Sequence, residues 1–282
     1  MVGTDPIVAL PASEAAGALA LSAEAGWNQT AADWRFMLER GQGVGVRDGA
    51  RWIGSALVLP LDGRTSWISM VLVAASHRRR GFGTALFRRC LETVDGTGAV
   101  AALDATELGR PVYAKLGFAD LWGFTRWLLA APPRASPPAG LALRPATEAD
   151  LPAIASLDAA ASGVRRPELL AHLRARAPVS AWIAEREGRA VGYALGRDGR
   201  LATQVGPVVA GDEATAQALI ARAAPESGAA MIDVPQGHEA VARWLAASGA
   251  DPARRFVRMA RGAAPHLAAP AGVFAIAGPE LG

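Results

Sequence analysis

Between residues 131 and 140 the chain reads Ala-Pro-Pro-Arg-Ala-Ser-Pro-Pro-Ala-Gly. Proline fixes φ and removes a backbone donor, so this stretch can be neither a helix interior nor a central strand. It reads as a stiff spacer. It divides 282 residues into two parts of similar length, each within the roughly 100–200 residues usual for one domain. Hydrophobic residues make up 51% and charged residues 20%, enough apolar material for two packed cores. The expected organisation is a domain over 1–130, a linker over 131–140 and a domain over 141–282.

The two parts share an order of short segments. Ala12-Ser13-Glu14-Ala15 parallels Ala146-Thr147-Glu148-Ala149, each after a short apolar strand and opening an amphipathic helix. Arg51–Leu57 parallels Arg189–Leu195, each the second strand of a hairpin after Asp48-Gly49 or Glu187-Gly188. Val71–Ala74 parallels Pro207–Ala210, Ala102-Leu103-Asp104 parallels Met231-Ile232-Asp233, and Leu116-Gly117-Phe118 parallels Ser248-Gly249-Ala250. One order kept through five segments argues for one fold used twice.

Patterning in the first part predicts a strand at 7–10 and helices at 13–25, with Ser13 as cap, and 30–40, capped near Thr30. A hairpin follows over 43–46 and 52–59, then a central strand over 67–73. Further on come a helix at 83–93, a strand at 100–104, a helix at 109–116 and one or two strands over 118–129. The second part repeats this and ends with strands at 255–261 and 273–277. The fold class expected is α/β (α+β).

No apolar run reaches the ~18 residues of a membrane span. The N-terminus lacks a basic region and carries Asp5, unlike a secretory signal. A soluble, cytoplasmic protein is expected, as a monomer or homodimer. Cys90 is the sole cysteine, and His77, His172, His238 and His266 are scattered. That excludes an intrachain disulfide and argues against a metal site. The net charge of +3 is too small, and the basic residues too dispersed, to suggest nucleic-acid binding.

One basic cluster stands apart, in Val71-Leu72-Val73-Ala74-Ala75-Ser76-His77-Arg78-Arg79-Arg80-Gly81-Phe82-Gly83-Thr84. A buried apolar strand runs into arginines, then Gly-x-Gly, then a helix whose Leu86, Phe87, Cys90, Leu91 and Val94 form one apolar face. A helix N-terminus offers unpaired N–H donors and partial positive charge, and glycines let the backbone approach an anion. The arrangement suits a pyrophosphate. It is not a Walker A loop, for no Gly-Lys-Ser/Thr follows. It is not a Rossmann fingerprint either, since its third glycine would fall at Leu86.

Arg78-x-x-Gly81-x-Gly83 after a Val-x-Val strand resembles motif A of the GNAT-type N-acetyltransferase superfamily, with Ala75 where a proline is common. Leu103-Asp104-Ala105-Thr106, Gly109, Tyr113 and Leu116-Gly117-Phe118 resemble that family's motif B, with Thr106 where Asn is frequent. With Gly206-Pro207-Val208-Val209-Ala210, Ile232-Asp233-Val234-Pro235 and a terminal Phe274-Ala275-Ile276-Ala277-Gly278 in the second part, nearly the whole chain resembles a bacterial tandem-GNAT subfamily. The resemblance implies two tandem domains, each a mixed, mostly antiparallel sheet flanked by helices. It implies acetyl-CoA as cosubstrate and a primary amine of a small-molecule or amino-acid-like acceptor as partner.

The same resemblance implies roles. Val71, Leu72 and Val73 would pair with the pantetheine arm in a gap between the fourth and fifth strands. Arg78, Arg79, Arg80, Gly81, Phe82, Gly83 and Thr84 would hold the pyrophosphate, with Thr106, Gly109 and Tyr113 also at the cofactor. Tyr113 would act as general acid, a phenol matched in basicity to a leaving thiolate. The general base stays open. Ser69 stands where many relatives carry Glu; Asp104 and Glu107, with a water relay, are candidates, and Asp104 could instead cap the next turn. Trp27 and Trp34 flank a turn that lines the acceptor pocket in the family, or else fill the core.

The second part lacks the loop. Gly211-Asp212-Glu213 follows Val208-Val209-Ala210, and its acids oppose a pyrophosphate. Leu245 stands where the first part has Tyr113. This part is expected to keep the fold without the cofactor site. Leu157-Asp158 and Arg165-Arg166 could face the acceptor or form a solvated helix face. The function expected is N-acyl transfer. The alternatives are transfer of a longer acyl group and an acyl-CoA sensor without turnover.

Overall fold

The structure, a computed structural model, describes residues 6–282. The chain resolves into two compact units. One holds the described residues up to Leu103, with Gly199–Leu201 and Leu281. The other holds Asp104–Asp198, Ala202–Glu280 and Gly282.

The first unit runs β1 (Val8–Leu10), α1 (Ala15–Glu24), α2 (Ala31–Arg40), β2 (Gln42–Asp48), β3 (Arg51–Asp62), β4 (Thr65–Val73), α3 (Phe82–Asp95) and the start of β5 (Val100–Thr106). Its strands lie in chain order and pair antiparallel, except that β4 and β5 are parallel. The α2 helix opens on a capping box in which the Thr30 N–H donates to Asp33 at 2.6 Å, satisfying donors the helix cannot. Ser13 is no cap. It lies in a 3-10 turn, Ala12–Glu14, and α1 starts after it. The neighbouring Glu14 instead accepts from Arg47 at 2.6 Å and from the Trp52 indole at 3.1 Å.

The apolar face of α3 packs onto the sheet at Gly54. A Cβ there would lie 2.9 Å from Leu86 Cδ1, so the glycine admits the helix at close range. Trp34 and Trp67 are fully buried. The Trp34 indole donates to Ser22 at 3.0 Å, which makes it core filling.

The second unit continues through α4 (Arg110–Ala114), β6 (Ala119–Leu129), β7 (Ala142–Pro145), α5 (Leu151–Ser162), α6 (Pro167–Arg176), β8 (Trp182–Arg186), β9 (Arg189–Arg197), β10 (Thr203–Ala210), α7 (Glu213–Ala223), β11 (Ala230–Pro235), α8 (Glu239–Ala247), β12 (Asp251–Arg261) and β13 (Val273–Ala275). Strand order is β12-β6-β11-β10-β9-β8-β7, with β13 alongside β10. β10 and β11 pair in parallel. No helix or strand falls within 131–140.

One placement goes beyond the sequence pattern. β6 precedes the proline-rich stretch, yet both its neighbours come from beyond it: β11 on one edge and β12 on the other. Phe124 of β6 stacks on Phe256 of β12 with ring centroids 4.9 Å apart. No helix among the described residues is long and apolar enough to cross a membrane.

Candidate functional site

β4 carries a β-bulge. Its register with β3 shifts between Ser69 and Leu72, and Met70 sits at φ +53°. A bulge bends and twists its strand. The Ser55 hydroxyl holds this one by donating to the Met70 carbonyl at 2.8 Å. The parallel ladder to β5 covers only Thr65–Trp67 against Val100–Ala102. Past it, among the described residues, the backbone edge of Val71, Leu72 and Val73 that faces away from β3 joins no strand. That edge can pair with an extended, amide-bearing chain.

The loop beyond is anchored at three points. The Ala74 N–H donates to the Ile53 carbonyl at 2.8 Å. The Ala75 N–H donates to Glu24 at 2.6 Å, and Glu24 also takes Arg51 at 2.9 Å. Arg78 folds back and donates from Nε to the Val73 carbonyl at 3.1 Å. Arg79 has φ +62°, and the exposed Arg80 guanidinium lies 5.2 Å from the buried Phe82 ring.

Gly81, at φ +86°, is the N-cap of α3, and no side chain caps the helix among the described residues. The backbone donors of Phe82, Gly83 and Thr84 therefore form the start of an open helix N-terminus. The two glycines differ. Gly81 needs its left-handed backbone. Gly83 does not: a Cβ there would make only an ordinary 3.6 Å contact with Val73 Cγ2. The fold gives no reason for glycine at 83, whereas close approach of an anion does.

Motif B lies at the end of β5 and on α4. The Thr106 hydroxyl accepts the Gly109 N–H at 3.2 Å and closes the turn before α4. Gly109 lies close under Tyr113, where a Cβ would stand 3.1 Å from the ring. Tyr113 is half-buried, with its ring centroid 6.3 Å from that of Phe118.

Asp104 has a different occupation. Its carboxylate is fully buried, and both oxygens accept from Arg258, at 2.9 and 3.0 Å. Burial pushes its pKa up against the opposing pull of Arg258. The repeat partner Asp233 does likewise, with both oxygens taken by Arg126 at 2.7 Å. Each arginine also lies over an aromatic ring: Arg258 is 4.5 Å from Trp122, and Arg126 is 5.2 Å from Phe256. The repeat without the loop keeps the same pair, as a structural role for it requires.

Asp158 and Arg166 form no solvated face. Both are buried and bound to each other at 2.9 and 3.0 Å, with the Tyr193 hydroxyl 2.5 Å from Asp158. Burial, with the Asp158 charge beside it, pushes the Tyr193 phenol well above its ordinary pKa. In the counterpart of the phosphate loop, Asp212 caps α7 and accepts the Thr215 N–H at 2.7 Å. Its carboxylate sits where an anion would.

Residue pattern alone did not single out Glu24, Ser55 or Arg258. Each acts across the fold: Glu24 reaches a residue 51 positions away and Arg258 one 154 positions away. The one foreshadowing signal for Arg258 is the repeat itself, which places acids at 104 and 233.

Residues 17–118 match the profile of the Acetyltransferase (GNAT) family, and residues 154–274 match that of an Acetyltransferase (GNAT) domain. An uncharacterized N-acetyltransferase of Bacillus subtilis, YitH, is 26% identical over 236 residues, covering 83% of each chain. The fold is shared with a candidate acetyltransferase of Pyrococcus horikoshii, at TM-score 0.79 and 18% identity, covering 98% of this chain and 95% of that one. It is also shared with a tandem GNAT protein from the clavulanic acid biosynthesis pathway, at TM-score 0.66 and 20% identity, covering 92% and 99%. Two family matches, one on each side of the proline-rich stretch and together spanning most of the chain, establish that this protein belongs to the GNAT-type N-acetyltransferases, with two such domains in tandem.

Proposed function

We propose that the protein transfers an acetyl group from acetyl-CoA to the primary amine of a small-molecule or amino-acid-like acceptor, and that residues 1–130 carry the cofactor site. The observation behind this reading is the open N-terminus of α3, placed directly after a strand edge that its neighbour leaves unpaired. A diphosphate suits the helix N-terminus. An extended arm with amides suits Val71, Leu72 and Val73. The sequence 141–282 has neither Gly-x-Gly nor an uncapped helix at the equivalent place, and we assign it no cofactor.

When bound, acetyl-CoA supplies the acyl group and a thiolate leaving group. The chain's own part is to hold and orient it and to move protons. A strand N–H near Val73 donates to the carbonyl oxygen as negative charge grows on it. The amine nitrogen forms the new C–N bond as the C–S bond breaks. The Tyr113 hydroxyl gives its proton to sulfur and regains one through water from the two that the nitrogen sheds. The ammonium proton leaves through water, because Asp104 is bound by Arg258 and Ser69 carries a hydroxyl rather than a carboxylate. Ser69 Oγ is buried and has no hydrogen-bond partner among the described residues, a position from which it can hold such a water.

Thiol release measured across a panel of primary amines tests the reading. Turnover of at least one amine, lost in Tyr113→Phe, is expected. Tight acetyl-CoA binding with no turnover of any amine would favour the second reading, a sensor of acyl-CoA, for which the engagement of Asp104 by Arg258 speaks.

A further inference from the structure

The second repeat has its own splayed pair of strands, and the gap is filled. β10 pairs in parallel with β11 only over Thr203–Val205 against Ala230–Ile232, the same three-residue extent as β4 with β5. It too carries a register shift against β9, between Val205 and Val208, with Gly206 at φ +149°. Past that shift, Val208 pairs with Ala275 and Val209 with Val273. The Ala210 N–H donates to the Gly272 carbonyl at 3.1 Å, and the Ile276 N–H donates to the Asp233 carbonyl of β11 at 3.0 Å.

Residues 272–276 thus form an extended segment hydrogen bonded to both walls of the gap. In the repeat alignment, Val208 and Val209 correspond to Leu72 and Val73, the positions whose outer edge β5 leaves open. Val273, Phe274, Ala275, Ile276 and Ala277 are all buried. The fit is close at the bulge, where a Cβ on Gly206 would lie 2.0 Å from the Ile276 carbonyl oxygen. Beyond the segment, Glu280 forms a buried ion pair with Arg197, and the Gly282 carbonyl accepts from Arg166.

We propose that Gly272–Ala277 is the resident ligand of the second repeat's groove: a strand of the chain itself lies where the first repeat takes an extended amide-bearing cosubstrate. The second repeat has therefore become a peptide-strand-binding site, and it is closed to acyl-CoA at both ends of the groove, by this strand and by Asp212. The ligand class is an extended apolar polypeptide, read through its backbone.

Two measurements decide this, and neither uses acyl-CoA, so their failure leaves the first repeat's assignment standing. In the intact chain, the Ile276 and Ala210 amides should exchange with deuterium at least ~10³-fold slower than in an unstructured peptide, as expected of stable strand pairing. Exchange at the unstructured rate would overturn the proposal. In the second, a protease recognition sequence is inserted after Pro270 and cut in the folded protein. The released segment should co-elute with the remainder on gel filtration and exchange with an added synthetic peptide of residues 271–282, but not with its scrambled form. Loss of the segment with no change in thermal midpoint would show that the groove does not depend on it, and would likewise overturn the proposal. Gly206→Ala in the cut protein should lower retention of the segment at least ~10-fold, since the new methyl displaces the Ile276 carbonyl.

Discussion

α3 begins behind Gly81, in a left-handed backbone conformation, and among the described residues no side chain caps the helix. α7 begins behind Asp212, whose carboxylate takes the Thr215 N–H at 2.7 Å. The two helices follow corresponding strands, and those strands make ladders of equal length to their parallel neighbours. What separates the repeats is who satisfies the leftover donors and acceptors. Buried backbone groups must find partners. In the second repeat the chain supplies them, with an aspartate at the helix and a strand in the gap. In the first, among the described residues, no side chain caps the helix and no strand joins that edge of β4 beyond the ladder to β5.

The largest expected effect concerns what the repeats share. Asp104→Ala and Asp233→Ala each remove a fully buried carboxylate that holds an arginine through both its oxygens, and each should cost about 3–5 kcal/mol in denaturant unfolding. Similar losses in both sharpen the view that the pair is structural. A loss of turnover in Asp104→Ala with stability intact would break it.

Next comes the loop. Gly83→Glu places a carboxylate at the open helix end, while its Cβ has room. Coenzyme A affinity should fall at least ~100-fold, about 2.7 kcal/mol, with the thermal midpoint unchanged. Tyr113→Phe should lower kcat by ~10²-fold or more and leave the KM for acetyl-CoA in place, as removal of a general acid does. Steady-state kinetics with both substrates varied checks this.

Asp212→Ala removes only a cap and should cost about 1 kcal/mol, with no change in coenzyme A affinity or stoichiometry by calorimetry. The smallest effect is at Cys90. Burial pushes its thiol pKa up to about 12, so a thiol-directed reagent at neutral pH should label the folded protein far more slowly than the unfolded chain.

The strand-to-helix turn of the loop was legible in sequence because its signals are local. The strand, the arginines and Gly81-x-Gly83 are contiguous, and glycine spacing reports the backbone directly. The repeat was legible because hydrophobic order and hairpin turns persisted where identities had drifted. Ser13 misled because a serine before an apolar run has the composition of a cap, whereas the backbone there makes a 3-10 turn. The placement of β6 between β11 and β12, the Arg258 grip on Asp104 and the Glu24 anchor on Ala75 were not legible. Each joins residues far apart in sequence whose types suit many other partners. The apolar run at 273–277 read as a strand, but nothing in it named the gap it would fill.

In the proposed function the first repeat alone binds the cosubstrate, through the α3 loop. Calorimetric titration of coenzyme A into the wild-type chain and into Gly83→Glu tests it most directly. One site per chain in the wild type and none in the variant is the expected result. Two sites per chain, or unchanged affinity in Gly83→Glu, would contradict it.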